Sequence, residues 1–444
     1  MARIGGAPLP TITDDSALGE SVIQKSLRFR SGGSTYLNRT PSSAGNRKTW
    51  TWSAWIKRGT LGSKQRFFTA DDNATYATYL ILEFQSDDNL RALAGTEAAA
   101  GTLTKETAAV IRDTTNWYHL VFKFDAANTS AVWYINGQEI TDLNASTDPS
   151  NQDYQVNATS QHFLGRAGNS IDSDGAYFDG YMAEVNFVDG QALDASYFGF
   201  TDSQTGIWMP KRYEGSYGTN GYRLDFLDNS SAAALGIDKS PNGNDFTVNN
   251  HSVSASLTND SMLDTPTNNF CTLNHLNKTT SFSGKDGGLT FDQTSNDQAI
   301  TGTFFVTSGK WYWEFYKNSG HNPEIGISVV GKETLNNRST GFIDGRAAFI
   351  SNDGRIRTGS SSTADITGSS SGQTGAGWLR IACDMDNKKI WFSDLSGNYF
   401  NSGNPATGAN PAYDFSSHEV ATGWAPYICL TTANDANGYP NFGQ

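Results

Sequence analysis

The chain of 444 residues combines 45 glycines and 12% aromatic residues with only 17% charged residues. A disordered chain would lack this aromatic content, and a helical bundle would need far more alanine, leucine, glutamate and lysine. The net charge of −13 and the absence of a dense basic run argue against nucleic-acid binding, which relies on Lys and Arg against phosphates. Strand-forming residues punctuated by Gly, Asn, Asp, Ser and Thr predict an all-β protein with long loops.

Residues 1–20 carry one arginine and no apolar core, so they do not have the form of a secretory signal. No segment approaches the ~20 apolar residues of a membrane span. We therefore expect an N-terminal arm, no membrane insertion, and a protein that acts in the cell that makes it or leaves by lysis. The three cysteines have no metal-binding spacing, and Cys383 and Cys429 lie in apolar runs, so all three, with Cys271, are expected to be buried free thiols.

Alternation with a period of two begins soon after the arm. In Thr49–Lys57 one predicted face carries Trp50, Trp52, Ala54 and Ile56. In 117–124 the corresponding face carries Tyr118, Leu120, Phe122 and Phe124. Because apolar residues collect on one side of each run, both runs are predicted to be strands that cover a core.

Turn signals separate these strands. Asn136-Gly137 lies between two β-rich runs and predicts a hairpin, because both residues accept positive φ. Another strand is expected over Tyr177–Phe187, with Tyr181, Val185 and Phe187 on one face. Regularly spaced strands without a βαβ rhythm predict a sandwich or jelly roll.

The composition changes between residues 201 and 279, where aromatic residues are followed by a run rich in Asn, Ser and Asp. Aromatic residues this frequent predict a connector that packs against a neighbour, not a floating tether. Strand signals resume from residue 280, for example in 310–316, where Trp311, Trp313 and Phe315 share one face. We predict an all-β fold of two antiparallel β-sandwich (jelly-roll) domains in tandem, at 21–200 and 280–444, joined by the connector 201–279.

An ordered series of motifs spans the first predicted domain: Ser26-Leu-Arg-Phe29, Trp50-Thr-Trp-Ser-Ala-Trp-Ile56, Trp117-Tyr-His-Leu-Val-Phe122, Val132-Trp-Tyr-Ile-Asn-Gly137, Phe163-Leu-Gly165 and Phe178-Asp-Gly-Tyr-Met-Ala-Glu-Val185. With this series, residues 21–200 resemble a laminin G-like member of the concanavalin A-like lectin superfamily. The sequence departs from that family at Ala183, where an acidic residue often precedes the Glu-Val pair. The resemblance implies a β-sandwich, and the departure at Ala183 weakens the case for a polar or metal contact at that position.

A second series of motifs spans residues 280–444: Gly309-Lys-Trp-Tyr-Trp-Glu314, Glu324-Ile-Gly-Ile327, Asp384-Met-Asp386, Ile390-Trp-Phe392, Trp424-Ala-Pro426 and Asn441-Phe-Gly-Gln444. With it, this part of the chain is similar to SPRY domains. These are also bent β-sandwiches, so the resemblance implies a second sandwich.

The tandem, with connector motifs Gly206-Ile-Trp-Met-Pro210, Leu224-Asp-Phe226 and 237–245, resembles virion proteins of marine tailed bacteriophages. This resemblance implies a non-enzymatic structural or display protein, fibre-like or capsid-decorating, that mediates attachment to a host surface or glycan. It also implies attachment to other virion proteins through the N-terminal arm, a homo-oligomer with a trimer favoured, and release by lysis.

Concanavalin A-like folds also host glucanases, so a polysaccharide depolymerase is the alternative. Those enzymes carry a strand motif of the form Glu-x-Asp-x-x-Glu, and glycosidases need two carboxyl groups about 5–10 Å apart. Glu83 and Glu184 lie on predicted strands but have no such partner in sequence, although pairing across strands stays open. Gly368-Ser-Ser-Ser-Gly372 matches the nucleophile-elbow pattern but has neither the strand before it nor the helix after it.

Candidate binding residues come from loop aromatics and one acidic loop. An aromatic ring can stack on a sugar while its polar tip stays in water, and the loop tyrosines that fit this role are Tyr154, Tyr177, Tyr213 and Tyr217. Carboxylates before a strand could supply oxygen ligands to Ca²⁺, and the acidic loop offers Asp172, Asp174 and Asp179. No other cofactor is indicated, and a solvated turn is the competing interpretation of the acidic loop.

Overall fold

The computed structural model describes residues 22–71, 79–96, 99–168, 176–296, 298–320, 323–329, 346–350, 354–358, 361–365, 373–416, 423–430 and 438–444. The described chain falls into two compact units, the first ending at Asn269 and the second beginning at Phe270. Both units consist of antiparallel sheets, and the described residues contain no α-helix. The predicted all-β class is confirmed.

Short 3-10 segments interrupt the strands at Ala126–Asn128, Ala195–Tyr197, Ala233–Gly236 and Phe400–Ser402. Within the part of the chain that the structure describes, there is no helix with the length and apolar character to cross a membrane.

The first unit contains two eight-stranded sheets. The strands of sheet A, in chain order, are β1 (Ser26–Phe29), β3 (Thr49–Arg58), β8 (Tyr118–Asp125), β9 (Ser130–Ile135), β10 (Gln138–Glu139), β13 (Gly180–Asp189), β16 (Tyr222–Leu224) and β18 (Ser261–Met262). Their spatial order is β10-β9-β8-β3-β13-β1-β18, and β16 pairs with part of β13.

The strands of sheet B are β2 (Tyr36–Arg39), β4 (Gln65–Asp71), β5 (Tyr79–Phe84), β6 (Asn89–Thr96), β7 (Ala99–Val110), β11 (Leu143–Thr147), β12 (Gln161–Leu164) and β17 (Thr247–Asn249). Their spatial order is β11-β7-β6-β5-β4-β12-β2-β17. A small hairpin, β14 (Gly199–Thr201) with β15 (Trp208–Pro210), lies outside both sheets.

The core of the first unit forms where the inner faces of sheets A and B meet. Trp52 of β3 lies 5.3 Å from Phe67 and 5.9 Å from Phe68 of β4, measured between ring centroids. The alternation predicted for Thr49–Lys57 and 117–124 is confirmed, because the predicted inward residues belong to this core or pack against it. Large rings from both sheets are among its fully buried side chains.

The hairpin predicted at Asn136-Gly137 joins β9 to β10. Asn136 has φ of 48° and Gly137 has φ of 80°, which is the conformation that a two-residue hairpin turn requires.

A bulge at Glu184 changes the phase of β13. Glu184 has φ of 48°, and the register with β3 shifts between Ala183 and Asn186. Met182 and Val185 therefore both face the core, whereas Tyr181 faces outward against Trp117. The prediction that Tyr181 shares a face with Val185 was wrong, because strict alternation does not allow for the extra residue.

Part of the segment 190–269 covers the outer face of sheet A, while its residues Tyr222, Phe226, Leu235 and Phe246 belong to the core between the sheets. An apolar cluster there joins Val121 and Val188 of the sheet to Leu193, Phe198, Tyr213 and Tyr217 of the covering segment. The segment also supplies β16, β17 and β18 to the two sheets. Much of the expected connector is therefore a packed layer of the first unit.

Buried ion pairs fasten this layer to the sandwich. Lys57 and Asp264, both with fully buried side chains, form a pair of 2.7 Å. Asp260 receives hydrogen bonds from Arg28 at 3.2 Å and from Arg30 at 2.7 Å. Removing one member of such a buried pair leaves an uncompensated charge, so these contacts fix the position of the layer.

The second unit contains a seven-stranded sheet, a five-stranded sheet and a hairpin. The larger sheet has the order β19 (Leu273–Lys278), β22 (Gln298–Gly302), β31 (Trp424–Leu430), β24 (Pro323–Val329), β25 (Arg346–Ile350), β26 (Arg355–Thr358) and β27 (Ser361–Asp365). The smaller sheet has the order β30 (Tyr413–Asp414), β29 (Lys389–Phe392), β28 (Gly377–Asp384), β23 (Lys310–Lys317) and β32 (Gly438–Asn441). The hairpin consists of β20 (Phe282–Lys285) and β21 (Thr290–Gln293).

Burial alternates along the later part of β23, where Trp313 and Phe315 are buried as the sequence predicts, whereas Trp311 is only half-buried. The three cysteines are buried free thiols, also as predicted. Burial raises the pKa of the Cys383 thiol, which keeps it protonated and unreactive at neutral pH.

Candidate functional site

A pocket opens in the layer that covers sheet A. Two stretches line it, Arg212–Tyr217 and Lys239–Pro241, together with Arg223 of β16. Its volume is about 440 Å³, within the range of about 300–1,000 Å³ that is typical of small-molecule sites. We call it the Tyr213 pocket.

Two tyrosines provide the aromatic part of the lining. Tyr213 and Tyr217 lie 5.1 Å apart between ring centroids, edge to face. The Tyr217 hydroxyl donates to the Asn186 side chain at 2.7 Å, and the Tyr213 hydroxyl donates to the Ser216 carbonyl at 3.1 Å. Burial raises the pKa of both phenols, so they stay neutral. Both rings are largely buried, 5% and 6% exposed, and belong to the apolar cluster over sheet A, so they form the base of the pocket and present little surface to a ligand.

Arg223 is held in place by the bulged glutamate of β13. Its Nε and Nη2 donate to the two carboxylate oxygens of Glu184, and its Nη1 lies 3.6 Å from an Asp225 oxygen. Burial acts to lower the pKa of Arg223, but the Glu184 hydrogen bonds and charge outweigh it and raise the pKa. The guanidinium is therefore a fixed cation in the pocket wall.

The far rim of the pocket is a turn organised by Asp238. Its carboxylate accepts hydrogen bonds from the backbone N–H groups of Arg223, Ser240 and Asn244, at 2.7 to 2.9 Å. The Lys239 N–H donates to the Arg223 carbonyl at 2.8 Å. The rim is thus preformed, which lowers the entropy lost on binding.

Gly215 lets the near rim close over Tyr213. A Cβ at this position would lie 2.3 Å from the Tyr213 hydroxyl oxygen, so a side chain there would displace the ring. Gln191 donates to the Ser216 carbonyl at 2.7 Å and holds the same turn from below.

Exposed charges surround the opening. Arg212 and Lys239 are exposed cations and Glu214 is an exposed carboxylate. Across the described residues, none of these three side chains has an oppositely charged group within ion-pair distance.

The predicted glycan-binding tyrosines do not share one site. Tyr213 and Tyr217 come together in the pocket. Tyr154 is fully buried, with its ring 5.1 Å from Phe124 and its hydroxyl accepting from the Ser150 N–H. Its ring belongs to the core, so it cannot stack on a sugar. The sequence around Tyr154 has few strand signals, and for that reason the residue was predicted to lie in an exposed loop.

Tyr177 belongs to a separate aromatic cluster and is half-buried. The guanidinium carbon of Arg166 lies 5.3 Å from its ring centroid and 5.0 Å from that of Tyr36. Arg166 also donates to the Tyr177 hydroxyl at 3.2 Å. These cation–π contacts occupy one face of each ring, which leaves less aromatic surface for a ligand than the sequence implied.

The acidic loop contributes one described carboxylate. Asp179 is fully buried and accepts hydrogen bonds from the Ser31 N–H and hydroxyl at 3.3 and 2.9 Å. Asp172 and Asp174 lie outside the described residues. Among described side chains, no group of three or more His, Cys, Asp or Glu residues could hold a metal ion.

Neither strand glutamate offers a free carboxyl. Glu83 accepts from Arg66 at 3.0 Å, from Arg91 at 2.5 Å and from Gln85. Glu184 is engaged by Arg223, as described above. Both carboxylates are therefore engaged by structural partners. A glycosidase would instead need one carboxyl group as a proton donor and another as a nucleophile or base.

A serine–histidine contact in sheet A also fails as catalytic machinery. His119 Nε2 lies 2.9 Å from the Ser53 hydroxyl. However, Trp208 Nε1–H donates to His119 Nδ1 at 3.0 Å, so Nδ1 is the acceptor and Nε2 carries the proton. His119 must therefore donate to Ser53 and cannot take its proton. Burial lowers the pKa of this histidine to about 3.

Residues 31–196 match the family model described as the concanavalin A-like lectin/glucanases superfamily. This part of the chain is a concanavalin A-like, laminin G-like domain. The match ends before the Tyr213 pocket begins. A search of curated proteins found no match.

Several solved structures are similar to the chain. A candidate carbohydrate binding protein from Bacteroides ovatus ATCC 8483 is 18% identical, with 51% of this chain and 58% of that chain covered and a TM-score of 0.37. Domains LG4-5 of the mouse laminin α1 chain are 11% identical, with 95% and 89% covered and a TM-score of 0.33. The SPRY domain of human HERC1 is 16% identical, with 34% and 85% covered and a TM-score of 0.26. The chain thus spans little more than half the length of the Bacteroides protein.

Sequence reasoning missed the charged members of the pocket, Arg212, Arg223 and Lys239. The one sequence feature that could have indicated these residues is their position in the aromatic segment 201–279, close to the predicted binding residues Tyr213 and Tyr217. The contact between Arg223 and Glu184 joins residues 39 positions apart and depends on the β13 bulge. Alternation along the sequence contains no sign of it.

Proposed function

We propose that this chain is a non-enzymatic glycan-binding protein displayed on a tailed-phage virion. The Tyr213 pocket supports glycan binding most directly. It is concave and preformed, with charged groups at the rim above two largely buried tyrosines. Sugars carry many hydroxyl groups that such rim groups can bond, so a concave site lined by charged side chains suits them. The lectin-containing superfamily matched by residues 31–196 agrees with that role.

The geometry favours a protein that binds a glycan without hydrolysing it. The two strand glutamates are held by arginines, and the Ser53–His119 contact has the tautomer that excludes a general base. A depolymerase would need two carboxyl groups facing a bound sugar with room for water or for a covalent bond.

Glycan binding without product formation is the expected result of a direct test. The full-length protein should bind at least one class on an array of bacterial surface polysaccharides, measured with Ca²⁺ and with a chelator. Incubation with each bound polysaccharide should release no new reducing ends. Release of reducing ends would favour the depolymerase, and an array without any signal would count against glycan binding.

Display on a particle is the second element of the proposal. Two β-sandwich units in one chain suit a surface protein, because sandwiches present loops at their ends while their sheets stay rigid. The N-terminal arm 1–20 would attach the protein to other virion proteins, in a homo-oligomer for which we favour a trimer.

Purified particles provide the corresponding test. Mass spectrometry should detect this chain in gradient-purified virions from a lysate in which it is expressed, and immunogold labelling should place it on the surface. Native mass spectrometry of the isolated protein gives the subunit number. If the chain stays in the soluble fraction of the lysate, the display role is refuted while the glycan test stands.

A further inference from the structure

Lys57 of β3 lies beneath the layer that covers sheet A, in contact with two side chains of the stretch 264–269. Its ammonium group donates to Asp264 Oδ2 at 2.7 Å and to Asn269 Oδ1 at 2.8 Å. The side chains of Lys57 and Asp264 are fully buried. An amine, a carboxylate and an amide therefore meet at one point, and the first two are shielded from water.

Neighbouring groups fix the orientation of this set. Trp117 Nε1 donates to Asp264 Oδ1 at 2.9 Å, which leaves Oδ2 facing Lys57. Asn269 Nδ2 donates to the Thr115 carbonyl at 2.8 Å, which turns the side-chain carbonyl of the same amide towards the amine. Because both partners of Lys57 are held by other bonds, the three groups are preorganised to react with one another, and part of the entropic barrier is removed.

The set contains the parts that an amide transfer requires. A lysine amine is a nucleophile once it has lost a proton. A carboxylate within about 2.6–3.2 Å can act as the general base that takes this proton, and Asp264 lies within that distance. In Asn269, the amide carbon Cγ is the electrophile and Nδ2 is the leaving group.

We propose that Lys57 and Asn269 form an intramolecular amide cross-link, with Asp264 as general base and general acid. Asp264 Oδ2 takes one proton from Lys57 Nζ, and the neutral nitrogen attacks Cγ of Asn269. As the Cγ–Nδ2 bond breaks, Asp264 gives that proton to Nδ2, which leaves as ammonia, and takes a second proton from Nζ. Nζ keeps one hydrogen as the new amide N–H. Asp264 ends neutral, and no other reactant is consumed.

Burial of the set favours the product. The reaction replaces a buried ammonium–carboxylate pair by a neutral amide and a neutral acid, which cost less to keep away from water. Exclusion of water also suppresses hydrolysis of the intermediate. The bond joins β3 to a residue 212 positions later in the chain, so it ties the covering layer covalently to sheet A. The inference does not depend on glycan binding.

Mass spectrometry of the full-length protein under denaturing conditions tests the inference. We expect a mass lower than that of the unmodified sequence by one ammonia molecule. Tandem spectra of a digest should show a branched peptide in which Lys57 is joined to Asn269. A succinimide at Asn242-Gly243 would also release ammonia, but it joins no second peptide, so the branched peptide distinguishes the two.

Substitutions assign the roles of the three groups. Asn269→Ala removes the electrophile, Lys57→Met removes the nucleophile and Asp264→Asn removes the base, so all three proteins should lack the branched peptide. Asn268→Ala is the matched control, because that side chain donates to the Leu263 carbonyl at 3.4 Å, and it should keep the cross-link. If Asp264→Asn fails to fold, Asn269→Ala decides, because it leaves the Lys57–Asp264 pair in place.

A denaturing gel gives a second readout. The cross-link closes a long loop and restricts the unfolded chain, so the original protein and Asn268→Ala should migrate faster than Asn269→Ala. A full sequence mass in the folded protein overturns the inference. A branched peptide that persists in Asn269→Ala, or a link from Lys57 to Asp264 with release of water, overturns it as well. None of these outcomes bears on glycan binding, which the array measures separately.

Discussion

Lowering the pH from 7.5 to 4.5 is expected to reduce the free energy of unfolding of the first unit by roughly 5 kcal/mol. The loss comes from two fully buried histidines. Burial lowers the pKa of His119 to about 3 and that of His162 to about 4, from an ordinary value of 6.5. Each histidine stays neutral in the folded protein at a pH where the unfolded chain takes up a proton.

Hydrogen bonding explains why protonation of either histidine ring is unfavourable in the folded protein. His119 Nδ1 accepts from Trp208, and His162 Nε2 accepts from the Asn157 N–H at 3.0 Å. The other nitrogen of each ring faces an oxygen, of the Ser53 hydroxyl and the Ser160 carbonyl respectively. A protonated ring has an N–H group on both nitrogens. The nitrogen that now accepts a hydrogen bond would then point its own N–H at the N–H of its partner, Trp208 or Asn157.

The direction follows from proton binding. Between pH 6.5 and 4.5 the unfolded state binds more protons at these positions than the folded state, so stability falls as the pH falls. His251 acts in the same direction, since burial lowers its pKa despite the opposing charge of Asp260. Carboxylates with lowered pKa values, such as Asp88 and Asp260, lose their contribution only below their ordinary value of 3.8, outside this window.

Denaturant titration at several pH values, with hydrogen exchange of peptides from 117–125 and 157–164, measures the effect on the first unit alone. His119→Gln should lower stability at pH 7.5 and reduce the pH slope by up to about 1.4 kcal/mol per pH unit. A free energy of unfolding that stays level between pH 7.5 and 4.5 would contradict the buried neutral histidines.

Asp264→Ala is expected to destabilise the first unit by about 3–5 kcal/mol. The Asp264 carboxylate pairs with Lys57 at 2.7 Å and accepts from Trp117 Nε1 at 2.9 Å. Lys57 is fully buried and also donates to Asn269 at 2.8 Å. The substitution leaves the ammonium group without its counter-charge in a place that water does not reach.

A double substitution separates the unpaired charge from a simple loss of packing. Lys57→Met combined with Asp264→Ala should cost less than the sum of the two single changes, because it removes the lysine that the alanine leaves unpaired. Asp228→Ala, at a side chain bonded only to Ser230, is the exposed control and should change stability by at most about 0.5 kcal/mol. If the two single changes in the free energy of unfolding add up to that of the double substitution, the Lys57–Asp264 pair has no interaction energy of its own.

The second prediction, and the His119 part of the first, concern the layer over sheet A, which was the hardest part of the fold to foresee. Trp208 and Asp264 come from the segment 201–279, whose aromatic content correctly indicated packing against a neighbour. The segment packs on sheet A, adds β16 and β18 to that sheet, and adds β17 to sheet B. For β17 and β18 these contacts depend on strand pairings between residues more than 100 positions apart in sequence. Composition has no access to such pairings.

The candidate site shows the same division. The sequence correctly placed Tyr213 and Tyr217 among the aromatic residues of a loop-rich segment. It gave the same role to Tyr154, since a residue between turn signals looks exposed when its contacts are unknown. Only packing distinguishes a tyrosine whose ring closes the core from one that lines a pocket.

High glycine and aromatic content, low charge and period-two alternation by themselves determined an all-β protein. They also determined which residues of β3 and β8 face the core between the sheets and where the Asn136-Gly137 turn lies, because these properties depend on near neighbours along the chain. The tertiary structure alone decided the phase of β13, the pairing of Glu184 with Arg223, and the gathering of cations around Tyr213. A single inserted residue at a bulge changes the faces of every residue after it, and ion pairs form between distant segments. Both effects depend on how the sheets assemble, which local patterns do not contain.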